Sequence, residues 1–462
     1  MRRSRVLTVL SALALAPAPS AWAQQRLPTD SAVLAILKER VAIGRNPGIV
    51  VGLLDAGGRR VVAWGSSGRP GVALDGRTEF EIGSITKVFT ATLLADAVAR
   101  GEVTVDEPVA ALLPASVKVP SYGGREITLV DLATHSSGLP SLPTNFHPAN
   151  PANPYADYTV QQLYDFLSGY TLTRAPGERY EYSNLGFGLL GHALALHAGT
   201  SYEALLRARV LEPLAMNETA ITLRPAEQAR LAQGHNTMGR PVPGWDLPTL
   251  AGAGALRSDA LDMLKLVAAN LAPPRAGLPA LFATMRRPRL NIPPVMAVGL
   301  GFHIDMRFGH TLVWHNGETG GFHSFVGYDT AANVGVVVLT NSAASVDDIG
   351  FHLLDARLAL QPPQPLAVHK EIALERSILE RYVGVYDLAP TFALTITRGP
   401  EGLSLQATGQ SAFRIYPESE TDFFLRDVEA TITFVRDASG QVTGLVLHQG
   451  GADQPAKRRA TP

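Results

Sequence analysis

The period of hydrophobic and polar positions changes several times along the chain. Apolar residues crowd two short runs, Gly48 to Leu54 and Arg60 to Gly65, on either side of the turn DAGG, which predicts an early β-hairpin. Helical spacing follows from Ser84 to Arg100, where Ile85, Val88, Phe89, Leu93 and Val98 form one face and Gly101 supplies a stop. Thr128 with Asp131 is a capping-box variant for a helix over TLVDLATH, which Gly138 ends. Further helices are predicted at about Thr159 to Leu167, Leu185 to His197 and Ser201 to Leu211. HSFVGYD, the turn TAAN and VGVVVLTN then form a second hairpin. Strands at both ends with helices between them predict an α+β domain: an antiparallel sheet carrying a mostly helical insertion, without βαβ alternation.

The pattern breaks at QPPQPLAVHK, residues 361 to 370, a proline-rich stretch that reads as an extended linker. Beyond it nearly everything has strand character. Strands are predicted at Tyr382 to Leu388, Phe392 to Thr397, Leu403 to Thr408, Phe423 to Arg426, Thr431 to Val435 and Val442 to His448, with DASGQ as a hairpin signal. The polar tail from Asp453 is expected to fray. Residues 371 to 455 thus form a small antiparallel barrel or sandwich, following a main domain over residues 26 to 360.

Composition narrows the setting. The chain of 462 residues opens with Arg2, Arg3 and Arg5, an apolar stretch from Val6 to Ala16 and a small-residue site at Ala21-Trp22-Ala23. That is the layout of a signal peptide over residues 1 to 23, cleaved after Ala23, and it predicts a periplasmic or secreted protein with no stable membrane insertion afterwards. A net charge of −1 gives no footing for nucleic acid. The absence of cysteine rules out a disulfide framework, a thiol nucleophile and thiolate metal ligands. Twelve histidines are present without metal-ligand spacing, so neither a metal nor another cofactor is expected; His315 and His323 read as a loop pair. No G-x-S-x-G elbow appears, and AGAGALRSD reads as a lead-in to a helix from Ser258.

Three stretches could carry chemistry. In FEIGSITKVFT, Ser84 lies three residues before Lys87, so on a helix the two side chains share a face. A serine hydroxyl needs an adjacent base. A lysine serves only with its pKa far below about 10.4, and both burial and the positive end of a helix push it that way. The same helix end offers N–H groups to an oxyanion. In RYEYSNLGFGLLGH, Tyr182 and Asn184 flank Ser183 between a turn and a helix, where a phenol can shuttle a proton and an amide can bind a carbonyl. In LVWHNGETGGFHSF a strand ends in His315-Asn316-Gly317, and Glu318 follows as the simplest source of a second oxyanion N–H, with His315 making a polar contact at the cleft. Taken singly, each stretch has an ordinary meaning: a plain helix start, a core tyrosine beside a helix cap, a glycine-rich turn.

Taken together, SITK, YSN and HNG in this order resemble the three motifs of the serine penicillin-recognising enzymes, in the class C β-lactamase branch. ITLVDLATHSSGLP, APGERYEYSNLGFGLLG and LEPLAMNET are similar to that family's connecting segments, and YVGVY to an accessory barrel of the lipocalin kind on some members. The resemblance implies a β-lactamase/transpeptidase-like fold and an acyl-enzyme mechanism. Ser84 would be the nucleophile, Lys87 its base and Tyr182 a proton relay. Asn184 would hold the substrate amide, with Ser84 and Glu318 N–H groups as the oxyanion hole and His315, Asn316 and Gly317 lining the substrate site. Three positions depart from the family pattern: His315 stands where class C enzymes have lysine, Thr86 where serine or alanine is usual, and Leu142 where a glutamine helps bind the lactam. The expected substrate is a small molecule, with β-lactam hydrolysis first. D-amino-acid peptides (peptidoglycan fragments among them), small esters, or penicillin binding with little turnover are the alternatives.

Overall fold

A computed structural model describes residues 27–460 apart from 363–364, 366, 390–391, 409–411, 427 and 450–451. The expected signal peptide lies outside the described residues. The main domain is organised by one antiparallel sheet and the helices packed around it, chiefly α1 (Asp30–Ala42), β1 (Gly48–Asp55), β2 (Gly58–Gly65), α2 (Thr86–Ala99), α3 (Leu129–Ala133), α4 (Val160–Gly169), α5 (Asn184–His197), α6 (Ala251–Gly254), α7 (Ala260–Leu271), β3 (Leu290–Ile292), β4 (Met296–Val298), β5 (His303–Asp305), β6 (Leu312–Glu318), β7 (His323–Asp329), β8 (Val334–Thr340) and α8 (Asp347–Leu354). The sheet runs β2-β1-β8-β7-β6-β5-β4-β3, so the first and last hairpins lie side by side, β1 against β8. The α+β expectation holds in this respect; the three short strands β3 to β5, which extend the sheet to one edge, carry too little alternation to be read from sequence.

Strand periodicity explains how the sheet separates two cores. In β1, Val50 joins the core shared with the helical insertion, whereas Ile49, Val51 and Leu53 join the core beneath α1 and α8. β8 repeats this division, with Val337 and Leu339 on the first side and Val336 and Val338 on the second. VGVVVLT is buried throughout, as a central strand covered on both faces must be.

β9 (Gly384–Ala389), β10 (Phe392–Gly399), β11 (Gly402–Ala407), β12 (Ala412–Pro417), β13 (Asp422–Leu425), β14 (Ala430–Arg436), β15 (Val442–Gln449) and β16 (Ala452–Arg458) close an eight-stranded barrel in sequence order. Its interior is filled by aliphatic side chains around an aromatic cluster, with Tyr382 stacked on Phe434 at 4.1 Å and Phe423 edge-on to Phe434 at 5.3 Å. Two expectations need correction. β12 was not anticipated, and the tail from Asp453 does not fray: it is β16, which pairs with β15 and, through Arg458 and Lys457, with β9. The barrel therefore runs to Arg458, past the boundary expected at residue 455.

Glu79, just before the nucleophile segment, is fully buried and neither carboxyl oxygen has a hydrogen-bond partner. Burial pushes its pKa up to about 9, aided by Asp259 and opposed by Arg230, 3.5 Å away. The folded pKa exceeds the unfolded one, so stability is fullest below about pH 4.5 and declines as pH rises towards 9, by up to about 1.4 kcal/mol per unit. Glu79→Gln should flatten this decline. Urea midpoints at pH 5 and pH 8.5 check it: the difference between variant and parent should grow in the variant's favour at the higher pH, and parallel pH dependences would refute it.

Candidate active site

Phe80 and Glu81 pair with Arg257 and Ser258, after which the chain tightens through Gly83–Ile85 before α2 starts at Thr86. The helix thus begins two residues later than expected, and Ser84 sits on the turn at its N-terminus. Gly83 adopts a φ of 48°, and a Cβ there would stand 2.7 Å from both the backbone N and O of Glu318. Gly317 is equally confined against the carbonyl of Ile82. Two glycines therefore let the end of β6 lie against the Ser84 turn. Thr319 N–H donates to Phe322 O at 2.9 Å. Because bonded and non-bonded pairs alternate in an antiparallel ladder, the neighbouring Glu318–His323 pair is a non-bonded one, and the Glu318 N–H points away from β7.

Lys87 is fully buried. Its Nζ lies 2.8 Å from Ser84 Oγ, 2.7 Å from Asn184 Oδ1 and 2.7 Å from Ala253 O, none of them a carboxylate. Burial holds its pKa well below the ordinary lysine value. A neutral amine has two N–H groups and one lone pair. The two carbonyl oxygens can only accept, so they take both N–H groups and leave the lone pair facing the Ser84 hydroxyl. Such an arrangement can deprotonate a serine.

Asn184 reaches Lys87 because Ser183 caps α5, accepting from Gly186 N–H at 2.9 Å and donating to Pro140 O at 2.6 Å. Tyr182 places its ring 4.8 Å from Lys87 Nζ. Burial pushes its phenol well above the usual value, and interaction with the Ser84 hydroxyl only partly opposes this. Base and acid are thus set apart by their surroundings: a neutral amine and a protonated phenol.

Ala253 carries no side-chain signal, and sequence reading missed it. AGAG forms the separate turn α6, and the next helix starts at Ala260 behind the Asp259 cap, two residues later than expected. Thr90 Oγ1 donates to Gly252 O at 2.7 Å and lies 2.6 Å from the Tyr202 hydroxyl, while Thr86 Oγ1 accepts from Leu256 N–H at 3.1 Å. Thr86, unusual for its position, therefore helps hold the loop that supplies the Lys87 acceptor.

The third motif divides between the two faces of β6. The His315 ring, expected to make a polar contact at the cleft, is 1% exposed, with Nδ1 donating to Asn316 O at 2.5 Å and His303 at 5.0 Å between centroids. Burial, then His303 and Lys87, hold its pKa well below that of an ordinary histidine, so it stays neutral. Asn316 alternates to the opposite face of β6, where its amide donates to Asp347 Oδ2 at 2.6 Å, away from Ser84. His323 is not a loop partner of His315; it is buried on β7, opposite Glu318. The Glu318 side chain itself is exposed. Trp245, Tyr155 and Phe146 form an aromatic row with centroids 5.4 and 5.0 Å apart, and Leu142 is half-buried against the same core.

A profile of the Beta-lactamase family matches residues 33–360, and one for a domain of unknown function (DUF3471) matches residues 368–458. The D-alanyl-D-alanine-carboxypeptidase/endopeptidase AmpH of Escherichia coli K12 is 37% identical over 150 residues, which is 32% of this chain and 38% of that protein's length. A β-lactamase of Pseudomonas fluorescens is 28% identical over 298 residues, 57% of this chain and 79% of the relative. The fold is shared with a β-lactamase/D-alanine carboxypeptidase from Yersinia pestis complexed with citrate (TM-score 0.62, 24% identity, 71% of this chain and 98% of that one). It is shared too with the octameric penicillin-binding protein homologue from Pyrococcus abyssi (TM-score 0.62, 23% identity, 92% and 99%).

Proposed function

Because the chain belongs to the Beta-lactamase family of serine hydrolases, we propose that it cleaves D-amino-acid peptides through an acyl-enzyme on Ser84, at bonds whose leaving group bears no adjacent carboxylate. The observation carrying this reading is the buried, neutral His315 on β6. A D-alanyl terminus and a bicyclic β-lactam both present a carboxylate beside the scissile amide, and a neutral buried ring offers it no charge. An internal D-peptide bond makes no such demand, and the similarity to a carboxypeptidase/endopeptidase supports it. β-Lactam hydrolysis, expected first from sequence, becomes the second reading, favoured by the longer match to a β-lactamase.

In this mechanism Lys87 takes the Ser84 proton as Oγ attacks the carbonyl. The oxyanion is held by the N–H groups of Ser84 and Glu318. Collapse breaks the C–N bond, Tyr182 protonates the departing amine, and the Lys87 ammonium returns a proton to Tyr182. Water then attacks the ester, giving its proton to the same relay, and Ser84 is restored. Asn184 serves twice in this scheme, holding the Lys87 amine and meeting the substrate amide. Among the described residues no helix is long and apolar enough to cross a membrane. An exported protein acting on cell-wall fragments in the periplasm or outside the cell accords with the leader-like first 23 residues.

The test is a rate comparison of a C-terminally amidated D-peptide, its free-carboxylate counterpart, a nitrophenyl ester and a chromogenic cephalosporin, with Ser84→Ala as control. The amidated peptide should be cleaved at least as fast as the free acid. A strict need for the free carboxylate, or turnover of the cephalosporin alone, would overturn the assignment.

A further inference from the structure

The segment LATHSSGLP supplies no group to the chemistry above, yet it passes beneath Tyr182. α3 ends at Ala133, and His135 follows with a φ of 57°, a left-handed conformation uncommon outside glycine, though His, Asn and Asp visit it more than most. The residue is 2% exposed. From this position it holds three successive residues. Its carbonyl accepts from the Glu181 N–H at 2.7 Å, and its ring lies on the Tyr182 ring at 4.2 Å between centroids with 27° between planes. Its Nδ1 accepts from the Ser183 N–H at 3.0 Å.

Phe187 packs on the same imidazole at 4.8 Å and Tyr180 meets it edge-on at 5.6 Å. The titratable groups that face it are Lys87, His303 and His315, and a positive charge on any of them would reinforce burial in keeping it neutral. Neutrality matters because both nitrogens of an imidazolium are donors, and the Ser183 N–H would then face no acceptor.

We propose that His135 is a positioning residue for the reaction: by accepting at Nδ1 and lying against the phenol, it fixes the Tyr182 hydroxyl between Ser84 and the leaving group. The proposal rests on the reading of Tyr182 as proton donor. It predicts a selective defect. A leaving group that must be protonated depends on where Tyr182 points, whereas a nitrophenolate departs without a proton.

His135→Asn keeps a short acceptor and tolerates the positive φ, but removes the ring. On an amidated D-peptide its kcat/KM, which reports acylation alone, should fall by about 10–100-fold, and on a nitrophenyl ester by less than about threefold. Tyr182→Phe, measured alongside, should show the same dependence on leaving group at larger size. His135→Phe, which keeps a ring and loses the acceptor, should show the selective defect too and serves as the second variant. An equal loss on both substrates, or parental rates in both variants, overturns the proposal while Tyr182→Phe keeps its selectivity. Absence of selectivity in Tyr182→Phe would instead remove the reading of Tyr182 itself.

Discussion

Lys87→Met should lower kcat by on the order of 10³–10⁴-fold and, at the same time, remove a rising component from the dependence of stability on pH. Both effects come from one geometry. Nζ is fully buried with two carbonyl acceptors and one hydroxyl around it, and burial holds its pKa well below the ordinary value. The folded state therefore carries a neutral amine, while the unfolded chain carries an ammonium up to about pH 10.4. Between those two pKa values the unfolded state binds more protons, so stability rises with pH, by up to about 1.4 kcal/mol per unit.

Methionine removes that slope along with the base. It also strips Asn184 Oδ1 and Ala253 O of their donor, a loss of about 1–3 kcal/mol for each carbonyl left unpaired. The variant is thus expected to be least stable, relative to the parent, at the alkaline end. Lys87→Arg should be equally inactive, because a guanidinium does not release its proton in this range. Turnover on the nitrophenyl ester and denaturant midpoints at pH 6 and pH 9 check both parts. Parental turnover in either variant would remove Lys87 from the mechanism, and an unchanged pH slope would remove its neutrality.

What could be read from sequence divides along a physical line. Ser84, Lys87, Tyr182 and Asn184 announce themselves by side-chain type, and the structure brings them together although Asn184 lies 97 residues from Lys87. The second carbonyl acceptor of Lys87 is a backbone oxygen at Ala253, which no residue type reveals. His135 owes its place to a left-handed backbone at the end of α3, a conformation that THSSG does not advertise.

His315 was legible as a residue but not in its surroundings. β5 is only His303–Asp305, too short for a period to show, yet His303 is the residue packed against the His315 ring. The barrel repeats the lesson. Strands with alternating apolar residues were visible, whereas in β16 only Ala456 is buried, so ADQPAKR looks like a solvated tail even though it closes the barrel.

Gly83→Ala is expected to cost nearly as much activity as the loss of an oxyanion donor, without touching a reacting side chain. At a φ of 48° an alanine is strained by roughly 1–2 kcal/mol. Its Cβ would stand 2.7 Å from Glu318 N and O and 3.0 Å from Glu318 C, all main-chain atoms that cannot swing aside. Relief requires the end of β6 and the Ser84 turn to separate by several tenths of an ångström, and they carry the two N–H groups assigned to the oxyanion. Losing one such donor reduces kcat by about 10²–10³-fold. The substrate carbonyl gains most from these donors in the transition state, so kcat should fall far more than KM rises. Steady-state kinetics on the nitrophenyl ester, with thermal unfolding alongside, measure the two consequences separately. A variant with lowered thermal stability but parental kcat would show that the close approach of Gly83 to Glu318 serves packing alone, and would detach Glu318 from the oxyanion site.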